Sequence, residues 1–292
     1  MDLFDSMRIF VRVVERGSFS AVARERNLGQ PAVSKQIRAL EQHLGGPLFV
    51  RSTRHLALTD QGQRFYEHSQ DILANLESAT LSFASGQEKI AGQLRIAAPV
   101  SYGRLCVAPR LGIFLQRHPE VRIDFRLSDH NEDLLREDID LAIRIGVLRN
   151  EGLVAAPLGA SARRVYAAPA YLARHGVPRT PGELSSHNCI GFTLLERYDV
   201  WHFSRGAEEI EVAIAGNMTS NSSEAIREMV LSGLGISLSP DWLFATDLEQ
   251  GKVASVLDDY RTRALPIHAV FSAERRRSAR TMAFVDFLRE QL

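Results

Sequence analysis

FSAVARERNLGQPAVSKQIRALEQHL, residues 19–44, holds two helical patterns separated by Asn27-Leu28-Gly29. In the longer one, Val33, Ile37, Leu40 and Leu44 recur on one face, while Pro31, Ser34, Lys35 and Arg38 fall on the opposite face. Two cations, a hydroxyl and few bulky apolar groups are what a helix needs to lie in a DNA major groove. A shorter helix from Phe19 to Arg26, capped by Ser18, is expected before it, with Leu28 plugging the corner between the two.

Periodicity alone fits any packed helix pair, so the next residues carry weight. Gly45-Gly46-Pro47-Leu48-Phe49-Val50-Arg51 is followed by Ser52-Thr53-Arg54-His55 and then Leu56-Ala57-Leu58-Thr59. Two short apolar runs around a basic tip read as a β-hairpin, a wing whose Arg51 and Arg54 would meet phosphate or the minor groove.

Upstream, Phe4, Met7, Phe10 and Val14 make the stripe of a first helix that Gly17 ends. Downstream, a long helix is expected from Thr59 to Ser85, with Phe65, Ser69, Ile72, Leu76, Ala79 and Phe83 alternating at spacings of four and three. Such a seam suits a partner helix, with Ser69 a blemish in it. The polar, glycine-flanked stretch from Ser85-Gly86-Gln87 to Ala91-Gly92 is the expected hinge.

Beyond it, strands are expected at Gln93–Ala98, Val121–Leu127, Ile139–Ile145, Val154–Leu158, Arg163–Ala167, Ile190–Leu194, Ile210–Ala215 and Ile236–Leu238. Helices fall between them at Tyr102–His118, Glu132–Glu137 and Ser222–Leu231. This alternation implies a mostly parallel sheet with helices on its faces. Such sheets bind ligands beyond the carboxyl ends of their strands. Those positions are Ser101 after the first strand, Ser128 and Asp129 after the second, Gly146 and Val147 after the third, and Asn221 and Ser222 before the later helix. Each has a structural alternative. Asn221 with Glu224 fits a capping box, and Ser239-Pro240 fits an N-cap followed by proline at the first helical position. Arg144, inside the apolar strand DLAIRIG, requires an anionic partner.

The 292 residues are 45% hydrophobic and 24% charged, enough for a small domain and a larger one, and their formal net charge is +0. Global charge therefore names no partner, but Arg24, Arg26, Lys35, Arg38, Arg51 and Arg54 face only Glu25 and Glu41 between residues 24 and 54. The two cysteines, Cys106 and Cys189, lie far apart, which suits a reducing compartment. MDLFDSMRIFVRVVERG carries acids where a signal peptide carries bases, and no apolar run is long enough to span a membrane.

Catalytic readings fail on spacing. The nine histidines show no His-x3-His pattern, and there is no Cys-x2-Cys, so neither a metal nor a cofactor is expected. Gly233-Leu234-Gly235 lacks the third glycine of a dinucleotide fingerprint, and no Gly-x-Ser-x-Gly elbow occurs. Only His187 stands near Cys189, which argues for a structural rather than a redox-sensing thiol.

GSFSAVARERNLGQPAVSKQIRALEQHLGGPLFVRSTRHLALTDQG resembles the winged helix-turn-helix of LysR-type transcriptional regulators. RIAAPVSYGR, DIDLAIRIG, APAYLARHG and SSEAIREMVLSGLGISLSP resemble successive landmarks of the same family's effector domain. One departure is Gly29, where many members have serine, so a slightly weaker helix start is expected. The resemblance implies a winged helix-turn-helix domain over 1–59, a dimerising linker helix and hinge over 60–91, and an α/β, two-lobed periplasmic-binding-protein-like domain over 92–292. Its lobe I would comprise 92–161 with 266–292, and lobe II 162–265. DNA contacts would fall to Gln30, Pro31, Ala32, Ser34, Lys35 and Arg38, with Arg51 and Arg54 in the wing. Phe203 joins the effector contacts, and Ser101 matches the family's effector-contacting position. The implied protein is a cytoplasmic, non-enzymatic regulator. Its partners would be an interrupted palindromic operator in double-stranded DNA, a small-molecule effector, its own copies in a homodimer or homotetramer, and RNA polymerase. The effector is expected to be anionic, since Ser101 and the helix N-termini near Ser101 and Ser222 offer hydroxyls and N–H donors with no acidic residue beside Ser101. The competing reading is a small-molecule-binding protein whose winged domain serves assembly, and the basic face of the second helix argues against it.

Overall fold

The computed structural model describes residues 2–50, 56–85, 90–130, 133–148 and 152–292. They form two compact units, Met1–Gln93 with His118–Arg122 and Leu94–Arg117 with Ile123–Leu292.

The first unit contains α1 (Leu3–Arg16), α2 (Phe19–Glu25), α3 (Gln30–Leu44) and α4 (Asp60–Ser85). Asp2 caps α1 by accepting from the Phe4 and Asp5 N–H groups, and Gly17, at φ 62°, ends it. Ile9, Phe10, Val13, Val22, Val33, Ile37, Leu40 and Leu48 make the core. The stripe on α1 differs from expectation. Ile9 and Val13 are buried beside Met7 and Phe10, whereas Phe4 is exposed. The helix packs against α2, α3 and α4 at once, which buries a broader face than one neighbour would.

Two more expectations fail near α3. Leu44 is exposed, since it sits in the last turn before the Gly45 cap, and Leu28 is 40% exposed rather than buried in the corner. The corner is closed by backbone instead. Asn27 adopts the left-handed conformation at φ 54°, and the Leu28 N–H donates to the Ala23 carbonyl at 2.8 Å.

The base of the expected hairpin is present, with Phe49 paired to Leu58 and the Val50 N–H donating to Ala57 O at 2.8 Å. Thr59 caps α4 by accepting from the Gly62 N–H at 2.9 Å. A Cβ on Gly62 would stand 2.0 Å from the Leu48 carbonyl oxygen, so only glycine lets α4 start against the hairpin.

The second unit opens with β1 (Gly92–Ala98), then a helical run made of α5 (Val100–Tyr102), a π turn (Gly103–Val107) and α6 (Ala108–Arg117). β2 (Val121–Leu127), β3 (Leu141–Ile145), β4 (Val154–Ser161) and β5 (Arg163–Ala167) follow. Next come α7 (Pro169–His175), a 3-10 turn (Pro181–Ser186), β6 (Gly191–Phe192), β7 (Val200–Arg205), β8 (Glu208–Ala213) and β9 (Thr219–Ser220). The chain ends with α8 (Ser223–Leu231), β10 (Ile236–Pro240), α9 (Asp241–Glu249), β11 (Ala254–Val256), β12 (Arg261–Thr262), β13 (Leu265–Phe271) and α10 (Ala279–Gln291).

One sheet has the order β2-β1-β3-β13-β4, and another the order β10-β5-β11. The first is mixed and the second antiparallel, rather than mostly parallel. β1 and β3 run parallel, but β13 returns late in the chain and pairs antiparallel with both β3 and β4, and β5 is antiparallel to both its neighbours. Among the described residues the chain leaves the first sheet at Ser161–Arg163, entering the second, and returns to it at Thr262–Leu265 from β12, which belongs with β7 and β8 to a third sheet.

No helix forms over 133–137, the described part of the expected helix from Glu132. Its residues turn, held by the Asp133 carboxylate accepting from the Leu135 and Arg136 N–H groups. Gly235 also has a structural reason. A Cβ there would lie 2.3 Å from the Asn188 carbonyl oxygen, so this glycine serves close backbone packing.

Candidate nucleic-acid interface and effector cavity

α3 presents two faces of opposite character. Val33, Ile37 and Leu40 are buried, while Gln30, Pro31, Ala32, Lys35 and Arg38 are exposed and Ser34 is half-buried. Gly29 is the N-cap in extended conformation and offers no side-chain hydrogen bond, so proline near the first helical position does the terminating work alone.

Neighbouring charges sort themselves. Arg12 and Arg16 both reach Glu25, at 2.6 and 3.0 Å, and hold its carboxyl below the usual range chiefly through the Arg12 hydrogen bond. Arg26 pairs with Asp5 at 2.8 Å, and Glu41 accepts from the Leu48 N–H. These groups neutralise one another, so Arg26 adds little to the basic face that the sequence suggested. No described carboxylate lies within ion-pair range of Lys35 or Arg38, whose charge therefore faces solvent. Arg51 and Arg54 lie outside the described residues.

Along α4, Phe65 belongs to the core of its own unit, with its ring 5.6 Å from that of Phe10. It is not available to a partner helix, because the first turns of α4 pack on α1. Ser69 is buried, Ile72 is exposed and Leu76 is half-buried. The side chains of Ala79 and Phe83, like hinge residues 86–89, lie outside the described residues.

In the second unit a cavity of ≈ 240 Å³ opens between the two sheets, lined from one side by Ser101, Ser128, Asp129 and Arg144 and from the other by Ser223, Ile226, Ser239 and Trp242. Ser101 is 1% exposed, and its hydroxyl lacks a hydrogen-bond partner. Burying an unsatisfied hydroxyl is costly, which marks the position as one that awaits a partner. Asp129 corrects the expectation that no acid stands beside Ser101. Its carboxylate accepts from the Val100 N–H at 2.9 Å and caps the helical run that carries the serine. Two arginines offset it, Arg144 on β3 and Arg163 at the crossing. Burial, reinforced by nearby Arg263, pushes the Arg163 guanidinium down to about 10.

Other expected residues stand apart. Gly146 is tied through its N–H to Pro266 O, and Val147, 85% exposed, points away from the lining. Phe203 is 1% exposed in an apolar core with Trp201 and Leu238, because its position in β7 faces inward against the sheet. Asn221 is exposed, off the lining, and does not cap α8. Ser222 does, accepting from the Ala225 N–H, while Glu224 pairs with Arg104 at 2.8 Å, linking the helical run after β1 to α8. Ser239 caps nothing either. Its hydroxyl lies 2.8 Å from that of Ser237, and Pro240 is the N-cap of α9.

Sequence reasoning missed Arg163, Ser223, Ser239 and Trp242 as lining residues. Arg144 gave a signal, a cation within an apolar strand; Arg163 and Ser239 gave none, since both sit at strand ends where polar residues are common.

A helix-turn-helix followed by a paired hairpin base, and joined by a long helix to a two-sheet unit with a cavity between its sheets, defines a ligand-responsive DNA-binding regulator. Residues 4–63 match the bacterial regulatory helix-turn-helix protein family, lysR type, and residues 87–292 match the LysR substrate binding domain. The chain belongs to the LysR family of transcriptional regulators. It is 33% identical to the transcriptional regulator CrgA of Neisseria meningitidis serogroup C (strain 8013) over 99% of this chain and 96% of that one. It is 35% identical to the transcriptional activator TtdR of Escherichia coli (strain K12) over 98% and 92%. The solved structure of CrgA from Neisseria meningitidis superposes with a TM-score of 0.63 at 33% identity, covering 98% of this chain and 97% of that one. The full-length structure of the Vibrio cholerae virulence activator AphB does so at 0.60 and 27%, covering 100% of each.

Proposed function

We propose that this regulator reads an interrupted palindromic operator as a dimer or a dimer of dimers, with the exposed face of α3 in the major groove, and that a small anion in the cavity of the second unit sets its activity. The observation that carries the DNA assignment is the pairing pattern on α3, where Lys35 and Arg38 face solvent without a described carboxylate partner while nearby charges are neutralised within the fold. Gln30, Pro31, Ala32 and Ser34 stand on the same end of the helix and complete the contact set. Action on DNA places the protein in the cytoplasm, and no helix among the described residues is long and apolar enough to cross a membrane. RNA polymerase is the further partner through which an occupied operator would act.

Gel shifts with DNA flanking its own gene test this reading. Lys35→Ala and Arg38→Ala should each weaken binding with the fold intact. If Arg38 reads a guanine edge, its loss costs about 1–3 kcal/mol and relaxes specificity there, whereas a phosphate contact weakens all sequences alike. Unchanged affinity in both variants removes the assignment.

The anionic character of the effector rests on Ser101, Arg144 and Arg163 lining one cavity, with the nearest acid, Asp129, already engaged by the Val100 N–H. Ser128 and Asp129 fix the wall behind it.

A further inference from the structure

A second cavity of ≈ 480 Å³ lies on the far side of the Ser161–Arg163 crossing, between β5 and the segment that runs from β11 to β12. Val165, Val256 and Leu257, buried in the core, and the half-buried Tyr260, whose ring carries Arg205 at 5.1 Å, line its base, and its rim is cationic, carrying Arg163, Arg164 and Arg261. Of these, Arg164 is engaged by Asp241 at 3.4 Å. Among the described residues, no carboxylate lies within ion-pair range of Arg163 or Arg261. The single acid on the lining, Asp258, accepts from the Ser255 hydroxyl at 2.8 Å. A half-buried guanidinium without a counter-charge is expensive, and Arg163 has only the Arg263 carbonyl, 3.0 Å from its Nε, to satisfy it.

The lip of this cavity has an unusual backbone. Leu257, a buried non-glycine residue, is held at φ 61°, and its carbonyl accepts from the Tyr260 N–H to close the turn that shapes the floor. Conformations of this kind are strained and persist where the surroundings over-determine them.

We propose that this cavity is a second ligand site, distinct from the one between the sheets, for an organic anion with a flat apolar body. Arg261 and Arg163 hold the charged group, and the half-buried Tyr260 receives the edge of the body. Arg163 lines both cavities. It also donates to the Arg263 carbonyl, and its own carbonyl accepts from the Thr262 hydroxyl, so it ties together the two crossings between the sheets. Occupancy of the second site therefore changes the electrostatics of the first through one shared guanidinium, and the coupling is reciprocal.

The probe is 4-iodobenzenesulfonate, permanently charged, flat and visible by the anomalous scattering of iodine. Titrated into the full-length protein by calorimetry, it should bind in two steps. Iodine in soaked crystals should lie against Tyr260. Arg261→Glu, at an exposed position, should remove the second step by at least about tenfold in affinity and leave the first intact. Ser101→Ala should act only on the first, and Arg163→Gln should weaken both. Binding that ignores Arg261→Glu, iodine found only beside Ser101, or no second equivalent at millimolar probe overturns the second site without touching the reading of the first.

Discussion

His187 is a residue whose titration near neutral pH the fold shifts. It is buried, and its Nδ1 lies 3.2 Å from the Tyr171 hydroxyl, which already accepts from the Asn188 N–H and is thus placed to donate to an unprotonated ring nitrogen. Burial, reinforced by His175, lowers its pKa below the ordinary 6.5 against a smaller opposing effect of Glu183. The unfolded chain therefore takes up a proton here before the native chain does, and stability falls as pH drops through about 6.5 towards the lower native value. Thermal unfolding followed from about pH 7.5 to 5.5 should show this loss, and His187→Gln should flatten that part of the profile. A wild-type profile that the substitution leaves unchanged would mean the imidazole is protonated alike in both states. Burial pushes Cys106 up to about 11 and Cys189 up to about 12, so both remain thiols and neither is a ready nucleophile at neutral pH.

At the scale of elements, α4 shows what a one-dimensional pattern can and cannot resolve. The spacing of Phe65, Ser69, Ile72 and Leu76 marks one face, but Phe65 spends its side chain on the core around Phe10, and the pattern does not record where one contact ends and another starts. Ile72 and Leu76 remain for a partner. Ile72→Asp with Leu76→Asp would bury like charges in a helix pair, which is expensive without counter-charges. Sedimentation should then show a smaller species, and DNA affinity should fall because two half-sites are no longer read together. A double variant that stays associated would place the contact elsewhere. β2 was legible to the residue because VRIDFRL alternates apolar and polar side chains, and β5 because the short run RRVYA stops ahead of Pro169. β7, β11, β12 and α9 were not, being short or flanked by polar segments that carry no period. The direction of β13 was beyond reach as well. Its partners β3 and β4 are chosen by a return from more than a hundred residues away, and local pattern says nothing about that.

For the whole molecule, the central question is how a ligand in the second unit alters what the first unit does. A ligand shifts such an equilibrium only by its differential affinity for the arrangements available. The two sheets that bound the cavity are joined by two crossings, by the Arg104–Glu224 pair, and by Trp242, whose ring meets Tyr102 edge-on at 5.2 Å and whose Nε1–H donates to the Ser161 hydroxyl at 2.9 Å, so a bound ion changes their relative setting only by outweighing these contacts. Ser101 is the residue on which this can be read without confusion. Its hydroxyl has no hydrogen-bond partner within the protein, so Ser101→Ala removes an unsatisfied group, and unfolding stability without ligand should stay level or rise slightly. A hydrogen bond to a charged ligand contributes about 1.5–3 kcal/mol, so carboxylate affinity should drop by roughly tenfold or more. Operator binding without effector should remain near wild type while the response to effector weakens. Calorimetry with a carboxylate panel, paired with gel shifts on the same variant, separates the cases. A Ser101→Ala protein that binds carboxylates as tightly as wild type, or one that responds only to neutral or cationic ligands, would show that this hydroxyl is not the group that reads the signal.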